Sequence, residues 1–188
     1  MPRVAALLAA GAGTRFAGKE HKLTSELRGR AVWEWALQNL LEAQFDQVIV
    51  VTGATELTVP DGIFVVSNPD WASGQATSLL AAVIAADGLG ADAVTVGLAD
   101  QPFVTGAAWR AVGTADATCR IVVADYDGAP GPHPVRLARD VWPLLSGDGD
   151  DGARTLLSLH PEWVCHVPCV GSVADIDTME DLERWNNC

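Results

Sequence analysis

The chain has 188 residues and a formal net charge of −12, which suits a single domain, residues 1–188, with room for a substantial core. No apolar run reaches the ~18–20 residues of a membrane span, and the N-terminus lacks the charged head and cleavage site of a secretory leader. A membrane role is excluded and a cytoplasmic setting expected. Nucleic acid is disfavoured as well, because its binding rests on neutralising phosphates and this body is acidic.

In chain order, apolar strands alternate with helices. Strands are expected at Arg3–Leu8, Gln47–Val51, Ile63–Ser67, Ala93–Leu98, Arg120–Ala124 and Trp163–Pro168. Most are continuous runs rich in β-branched residues, as in strands covered on both faces. Helices are expected at Ala31–Ala43, Gln75–Ala86, Gly106–Gly113, Ala138–Leu145, Gly152–Leu159 and Thr178–Asn186. Val32, Trp35, Ala36, Leu40 and Ala43 form an apolar stripe on the first of these. The last opens with Asp177 or Thr178 as its N-cap and acids in its first turn. This alternation predicts an α/β three-layer fold around a mostly parallel sheet, with ligands outside the carboxyl ends of the strands. Cys119, Cys165, Cys169 and Cys188 lack the spacing of a disulfide framework. Cys165 and Cys169 have no second pair to complete a metal site, so ordinary thiols in a reducing compartment are expected.

In Val4–Lys22, VAALLAAGAGTRFAGKEHK, the first strand runs into a loop that has Gly11, Gly13 and Gly18 and carries Arg15, Lys19 and Lys22. Small residues let backbone N–H groups close around an anion, and the cations neutralise it. The charge distribution singles this loop out. Residues 1–30 hold six of the twelve Lys and Arg against two acids, and no Lys or Arg occurs from Ala31 to Trp109. An acidic body repels a free triphosphate, so such a substrate requires local cations and a divalent metal. Two better-known loops do not fit. Glu20 stands where a Walker A loop needs a Ser or Thr hydroxyl, and Phe16 stands where a dinucleotide fingerprint needs its third glycine.

Asp100 ends the strand AVTVGLAD, where an α/β sheet presents ligands, and Pro102 stops that strand. One carboxylate with phosphate oxygens and water is an ordinary Mg²⁺ environment; a turn or cap aspartate is the alternative. In Asp175-Ile176-Asp177-Thr178, Asp175 is assigned to the metal and Asp177 to the helix cap, with both acids serving the helix as the alternative. Asn68 to Ser78 offers amides and hydroxyls at a helix start, for a ligand or as ordinary caps. Asp148 to Arg154 fails the EF-hand pattern, with Ala153 where the glycine belongs and Leu159 where the glutamate belongs. It is read as a turn from which Arg154 can reach a phosphate. His133, between two prolines, is either a substrate contact or an exposed loop histidine.

Taken together, these segments resemble a known family. Leu8-Ala9-Ala10-Gly11-Ala12-Gly13-Thr14-Arg15-Phe16 with Lys22-Leu23 is similar to the signature LAAGxSxRMGxxKL. Asn68-Pro69 with Trp71, Gly74 and Ser78-Leu79 is similar to NPxWxxGxxxSL, and Asp100-Gln101-Pro102 to a metal-binding DQP. His133-Pro134-Val135, Gly147-Asp148 and Gly152-Ala153-Arg154 are similar to GHPV…GDxGAR, and Asp175 to Leu182 to DIDTPEDL. In this order, over nearly the whole chain, they resemble the nucleotidyltransferases of the molybdenum cofactor cytidylyltransferase type, in the wider MobA-like NTP transferase family. Phe16, Pro132 and Met179 depart from the usual Met, Gly and Pro, and the Arg15–Lys22 spacing is one residue longer.

The resemblance implies a Rossmann-like nucleotidyltransferase fold and Mg²⁺-dependent transfer of NMP from an NTP to a phosphorylated acceptor, with pyrophosphate released. CTP is the expected nucleotide and molybdopterin the leading acceptor. Leu8, Ala9, Ala10, Gly11, Ala12, Gly13, Thr14, Arg15, Lys22 and Gln101 are expected to bind nucleotide. Arg15, Lys22 and Asp100 are the expected catalytic residues; Asp100 and Asp175 are expected to hold Mg²⁺, and Asn68, Ser78 and His133 to contact the acceptor. A molybdoenzyme or its maturation factor is the implied protein partner. The alternatives are a sugar phosphate or other small phosphorylated acceptor, and a non-catalytic nucleotide- or cofactor-binding protein.

Overall fold

The computed structural model describes residues 1–17, 20–127, 133–147 and 152–187. The strands are β1 (Val4–Ala9), β2 (Glu26–Leu27), β3 (Arg30–Ala31), β4 (Gln47–Thr52), β5 (Phe64–Ser67), β6 (Ala93–Leu98), β7 (Ile121–Asp125), β8 (Val135–Ala138) and β9 (Val164–Pro168). The helices are α1 (Val32–Glu42), α2 (Gln75–Gly88), α3 (Gly106–Gly113), α4 (Arg154–Leu159) and α5 (Met179–Asn186). Seven strands form one sheet in the order β5-β4-β1-β6-β8-β7-β9, and β2–β3 is a small separate ribbon. All pairings in the large sheet are parallel except those of β8, which runs antiparallel to β6 and β7.

The period of two in β1 builds the layers, because successive side chains leave a strand on opposite faces. Val4, Ala6 and Leu8 pack with Leu79, Ala82, Val83 and Ala86 of α2. Ala5, Leu7 and Ala9 pack with Trp33, Ala36, Leu37 and Leu40 of α1 and with Ala108, Trp109 and Val112 of α3. Both faces of β1 are therefore dry, which is why its sequence reads as an unbroken apolar run. β1 sits between β4 on one side and β6 on the other, and the chain visits those sides in turn. This topological switch point opens a crevice at the carboxyl ends of the strands.

Three expectations need correction. Ala138–Leu145 is not an α-helix. Val135–Ala138 is strand β8, and Arg139–Leu144 is a 3₁₀ turn, with Pro143 removing a backbone donor that an α-helix would use. The helical stripe of α1 buries Trp33 and Leu37, whereas Trp35 turns to a third cluster with Phe16, Leu27, Val32, Ile176 and Leu182. Finally, Cys119 and Cys165 are joined as a disulfide rather than left as thiols. Cys119 leads into β7 and Cys165 lies in the adjacent β9, which brings their Cα atoms to 6.0 Å across 46 residues of sequence. Cys169 is a free thiol. No helix among the described residues is long and apolar enough to cross a membrane.

Candidate active site

The segments that follow the carboxyl ends of β1, β5 and β6 meet around a cleft of about 470 Å³. Leu8 through Arg15 form one wall, with Trp71, Gly74, Gln75 and Ser78 from the approach to α2 on another. Gly53, just beyond β4, lets these walls approach. A Cβ there would lie 2.8 Å from Ala10 Cβ and 2.9 Å from Trp71 Cβ, closer than side chains tolerate. Gly13 has φ +62°, and a Cβ on it would stand 3.0 Å from Lys22 Cγ. The loop crown thus rests directly on the lysine stem.

A charged cluster occupies the mouth of the loop. Lys22 Nζ donates to Asp100 Oδ2 at 2.6 Å and to Asp177 Oδ1 at 2.7 Å. Arg15 Nη2 reaches Asp177 Oδ2 at 2.8 Å. Lys22 is 11 % exposed and its two partners 19 % and 17 %, whereas Arg15, at 76 %, is open to solvent. Burial alone would push the Lys22 ammonium down; Asp100 and Asp177 outweigh it and hold its pKa above the ordinary lysine value. Asp175 also lines the cleft. Burial, with Asp177 and Asp100 nearby, holds its carboxyl above the usual range despite Lys22.

The C-terminal carboxylates arrive by local pairing rather than by sequence proximity. The chain at residues 171–176 runs against the end of β6, with a bridge between Val104 and Gly171. Ser172 N donates to Phe103 O at 3.3 Å and Ile176 N to Asp100 O at 2.9 Å. Ile176 is fully buried and anchors the segment. Residues two apart in an extended segment share a side, so Asp175 and Asp177 both face the cleft. The assignment of Asp177 to the cap is therefore corrected. Thr178 caps α5, its hydroxyl accepting from Asp181 N, with Asp181 completing the capping box.

The remaining expected residues divide. Ser78 and Arg154 line the cleft. Asn68 does not: its amide donates to Thr77 Oγ1 and Ser78 Oγ, and its oxygen accepts from Asp70 N, so it ties the approach to α2 together. Gln101 is buried and donates to Val173 O at 3.3 Å, which steadies the segment carrying Asp175 instead of facing the cleft. His133 is partly buried, and its carbonyl accepts from Tyr126 Oη at 3.0 Å. Burial drives its imidazole down to about 4, with Asp100 opposing and Arg154 adding to the shift, so it is neutral at pH 7. Lys19, Pro132 and Asp148 lie outside the described residues. Asp177, read from the sequence as a cap, is the main site residue that the sequence reading misplaces. Its spacing of two from Asp175 was the signal that could have found it.

A divalent metal fits this site. Asp100 Oδ1 is buried and has no hydrogen-bond partner among the described residues, and the surrounding donors are hard carboxylate oxygens. No three His, Cys, Asp or Glu side chains among the described residues are grouped closely enough to hold an ion by themselves. Phosphate oxygens and water would have to complete its shell, as is usual for Mg²⁺.

A cationic glycine loop at a topological switch point, facing carboxylates across a cleft, defines a nucleotide-handling α/β transferase. The pattern of the MobA-like NTP transferase domain matches residues 5–164, and the chain belongs to that family of nucleotidyltransferases. Its sequence is 31 % identical to the nicotine blue oxidoreductase of Paenarthrobacter nicotinovorans over 193 residues, covering 95 % of this chain and 93 % of that one. A nucleotidyl transferase from Methanothermobacter thermautotroptrophicus superposes with a TM-score of 0.81 at 26 % identity, over 98 % of this chain and 95 % of its own. The Rv0371c protein of Mycobacterium tuberculosis H37Rv superposes at 0.82 with 28 % identity over the whole of both chains, and has also been solved as a complex with manganese.

Proposed function

We propose that this protein is a Mg²⁺-dependent nucleotidylyltransferase that moves NMP, from CTP by preference, onto a phosphorylated acceptor of the molybdopterin class. The observation that carries the reading is the cluster Lys22–Asp100–Asp177–Arg15 at the mouth of the Gly11–Gly13 loop. Backbone N–H groups of Ala10 to Thr14 would cradle the triphosphate, as in other anion-binding loops. Arg15 and Lys22 would exchange carboxylate partners for phosphate oxygens and stabilise charge on the transferred and leaving groups. Asp100 and Asp175, with phosphate oxygens and water completing the shell, would hold the metal, which supplies Lewis-acid neutralisation of those oxygens.

The acceptor phosphate is ionised at neutral pH and needs no general base. Its oxygen forms a bond to the α-phosphorus while the α–β bridging bond breaks, and the electron pair leaves on pyrophosphate. Positioning and electrostatics carry such a step. Ser78, Arg154 and neutral His133 are the acceptor-side groups in this reading, with Asn68 acting through Ser78. Residues 1–188 are taken as one working domain, because the segment after residue 164 supplies Asp175 and Asp177. A molybdoenzyme or its maturation factor is the proposed recipient of the product. The reading includes a cytoplasmic setting.

The test is pyrophosphate release with each of the four NTPs, with and without a phosphorylated pterin or a sugar phosphate. Release that requires the pterin and is fastest with CTP supports the reading; release only with a sugar phosphate reassigns the acceptor. Nucleotide binding without release would mark a non-catalytic carrier. The name of the 31 % identical relative, an oxidoreductase, raises a second reading, oxidation or reduction of a small molecule. Phe16 in place of the third dinucleotide glycine weighs against it, and oxidation of NADH or NADPH by the same preparation would favour it.

A further inference from the structure

The loop carries a side-chain clamp that the catalytic reading does not use. His21 Nδ1 accepts from Leu23 N at 3.2 Å, which leaves Nε2 as the protonated nitrogen. That nitrogen lies 2.9 Å from Gly11 O and donates to it. One imidazole thus joins the start of the anion loop to its end, ten residues later. The His21 carbonyl is bound as tightly. It accepts from Thr24 N at 3.0 Å, Ser25 N at 3.1 Å, Thr24 Oγ1 at 3.0 Å and Ser25 Oγ at 3.2 Å, which pins the turn presenting Lys22. The crown of the loop sits on this pair. A Cβ at Gly13 would come within 3.4 Å of His21 Nε2 and 3.0 Å of Lys22 Cγ.

We propose that His21 is a positioning residue that holds the glycine loop closed over Lys22, acting through Gly11 and Leu23 without touching the nucleotide. The inference rests on the nucleotide-binding reading of the same loop. A loop with glycines at 11 and 13 loses more conformational freedom than others when it is ordered on binding, which costs affinity. A clamp already made in the free protein removes part of that cost. The imidazole supplies one acceptor and one donor on opposite sides of a rigid ring, a pairing that a single amide side chain reproduces only by half.

The test is Mg·CTP binding by calorimetry, together with the melting temperature, for the wild type, His21→Ala, His21→Gln and His21→Phe. Loss of both bonds in His21→Ala is expected to weaken binding about tenfold. His21→Gln retains a donor for Gly11 O and should recover most of the affinity. His21→Phe keeps the bulk and should bind as weakly as His21→Ala. A packing role alone would show the opposite order, with Phe restoring and Gln failing, and would overturn the proposal. Binding by His21→Phe within twofold of wild type would also overturn it while leaving the nucleotide reading intact. If the wild type binds no NTP, the nucleotide reading fails and the proposal with it. Long-range ¹H–¹⁵N spectra of the free wild type give an independent readout. The Nε2–H tautomer at His21 is expected, and the Nδ1–H tautomer would refute the clamp.

Discussion

Replacing Lys22 by methionine preserves the stem that Gly13 rests on and removes only the charge. Two carboxylates, Asp100 and Asp177, now bonded at 2.6 and 2.7 Å, would then face each other with Arg15 as the remaining cation on Asp177. Removing one partner of a buried pair typically costs ~3–5 kcal/mol. Exposures of 11–19 % leave some solvent screening, so about 3 kcal/mol is expected at pH 7. The pH dependence carries a sign. The Lys22 pKa is raised on folding, so its contribution is complete below the ordinary lysine value of 10.5 and is lost as pH rises through the folded value. The gap between the proteins should therefore be steady from pH 7 to 9. Urea denaturation across this range measures the gap. Millimolar Mg²⁺ should restore part of the loss by giving the freed carboxylates a new cation. A difference below about 0.5 kcal/mol at pH 7, the level of an ordinary surface change, would refute the buried bridge.

Asp175→Asn should raise the melting temperature at pH 7, since its raised pKa means that the ionised form burdens the folded state. That gain should vanish as pH falls towards the ordinary carboxylate value, while metal-dependent turnover drops at every pH; a variant that melts no higher at pH 7 refutes the electrostatic reasoning. Gly13→Ala forces a side chain into φ +62° and against Lys22 Cγ, and should cost ~1–2 kcal/mol and raise the KM for NTP; unchanged stability and KM would contradict the described loop. Cys119→Ser removes a crosslink spanning 46 residues and should lower stability by ~2–4 kcal/mol in non-reducing buffer. Wild type and variant should coincide once dithiothreitol is added; a wild-type midpoint indifferent to reductant would mean that the disulfide does not form.

The parts of the fold that were legible in the sequence are those whose signal is local. β1, β4, β6, α2 and α3 are apolar runs or helical stripes dense enough to be read directly, and the loop after β1 announces its anion chemistry by concentrating cations among glycines. β8 escaped because four residues after a proline carry little periodicity, and its antiparallel place between β6 and β7 is a tertiary fact. The disulfide escaped for the same reason, since only the pairing of β7 with β9 brings Cys119 and Cys165 together. In the site, Asp100 was legible from its position at a strand end. For Asp177 the sequence offered only its spacing of two from Asp175, which puts the two on one side; that this side faces the cleft is decided by Ile176 N bonding to Asp100 O, some 76 residues away in sequence. Asn68 and Gln101 show the converse, as polar residues in the right segments whose hydrogen bonds hold the walls rather than line them.

The most direct test of the central claim follows the label on CTP. With Mg²⁺ and a phosphorylated pterin, label at the α-phosphorus should appear in the capped pterin, and label at the γ-phosphorus in pyrophosphate. Both signals should fall ~10²–10³-fold in folded Asp100→Asn protein, as when one electrostatic contact to the transition state is lost. γ-Label on the acceptor, or undiminished transfer by Asp100→Asn, would contradict nucleotidyl transfer at this site.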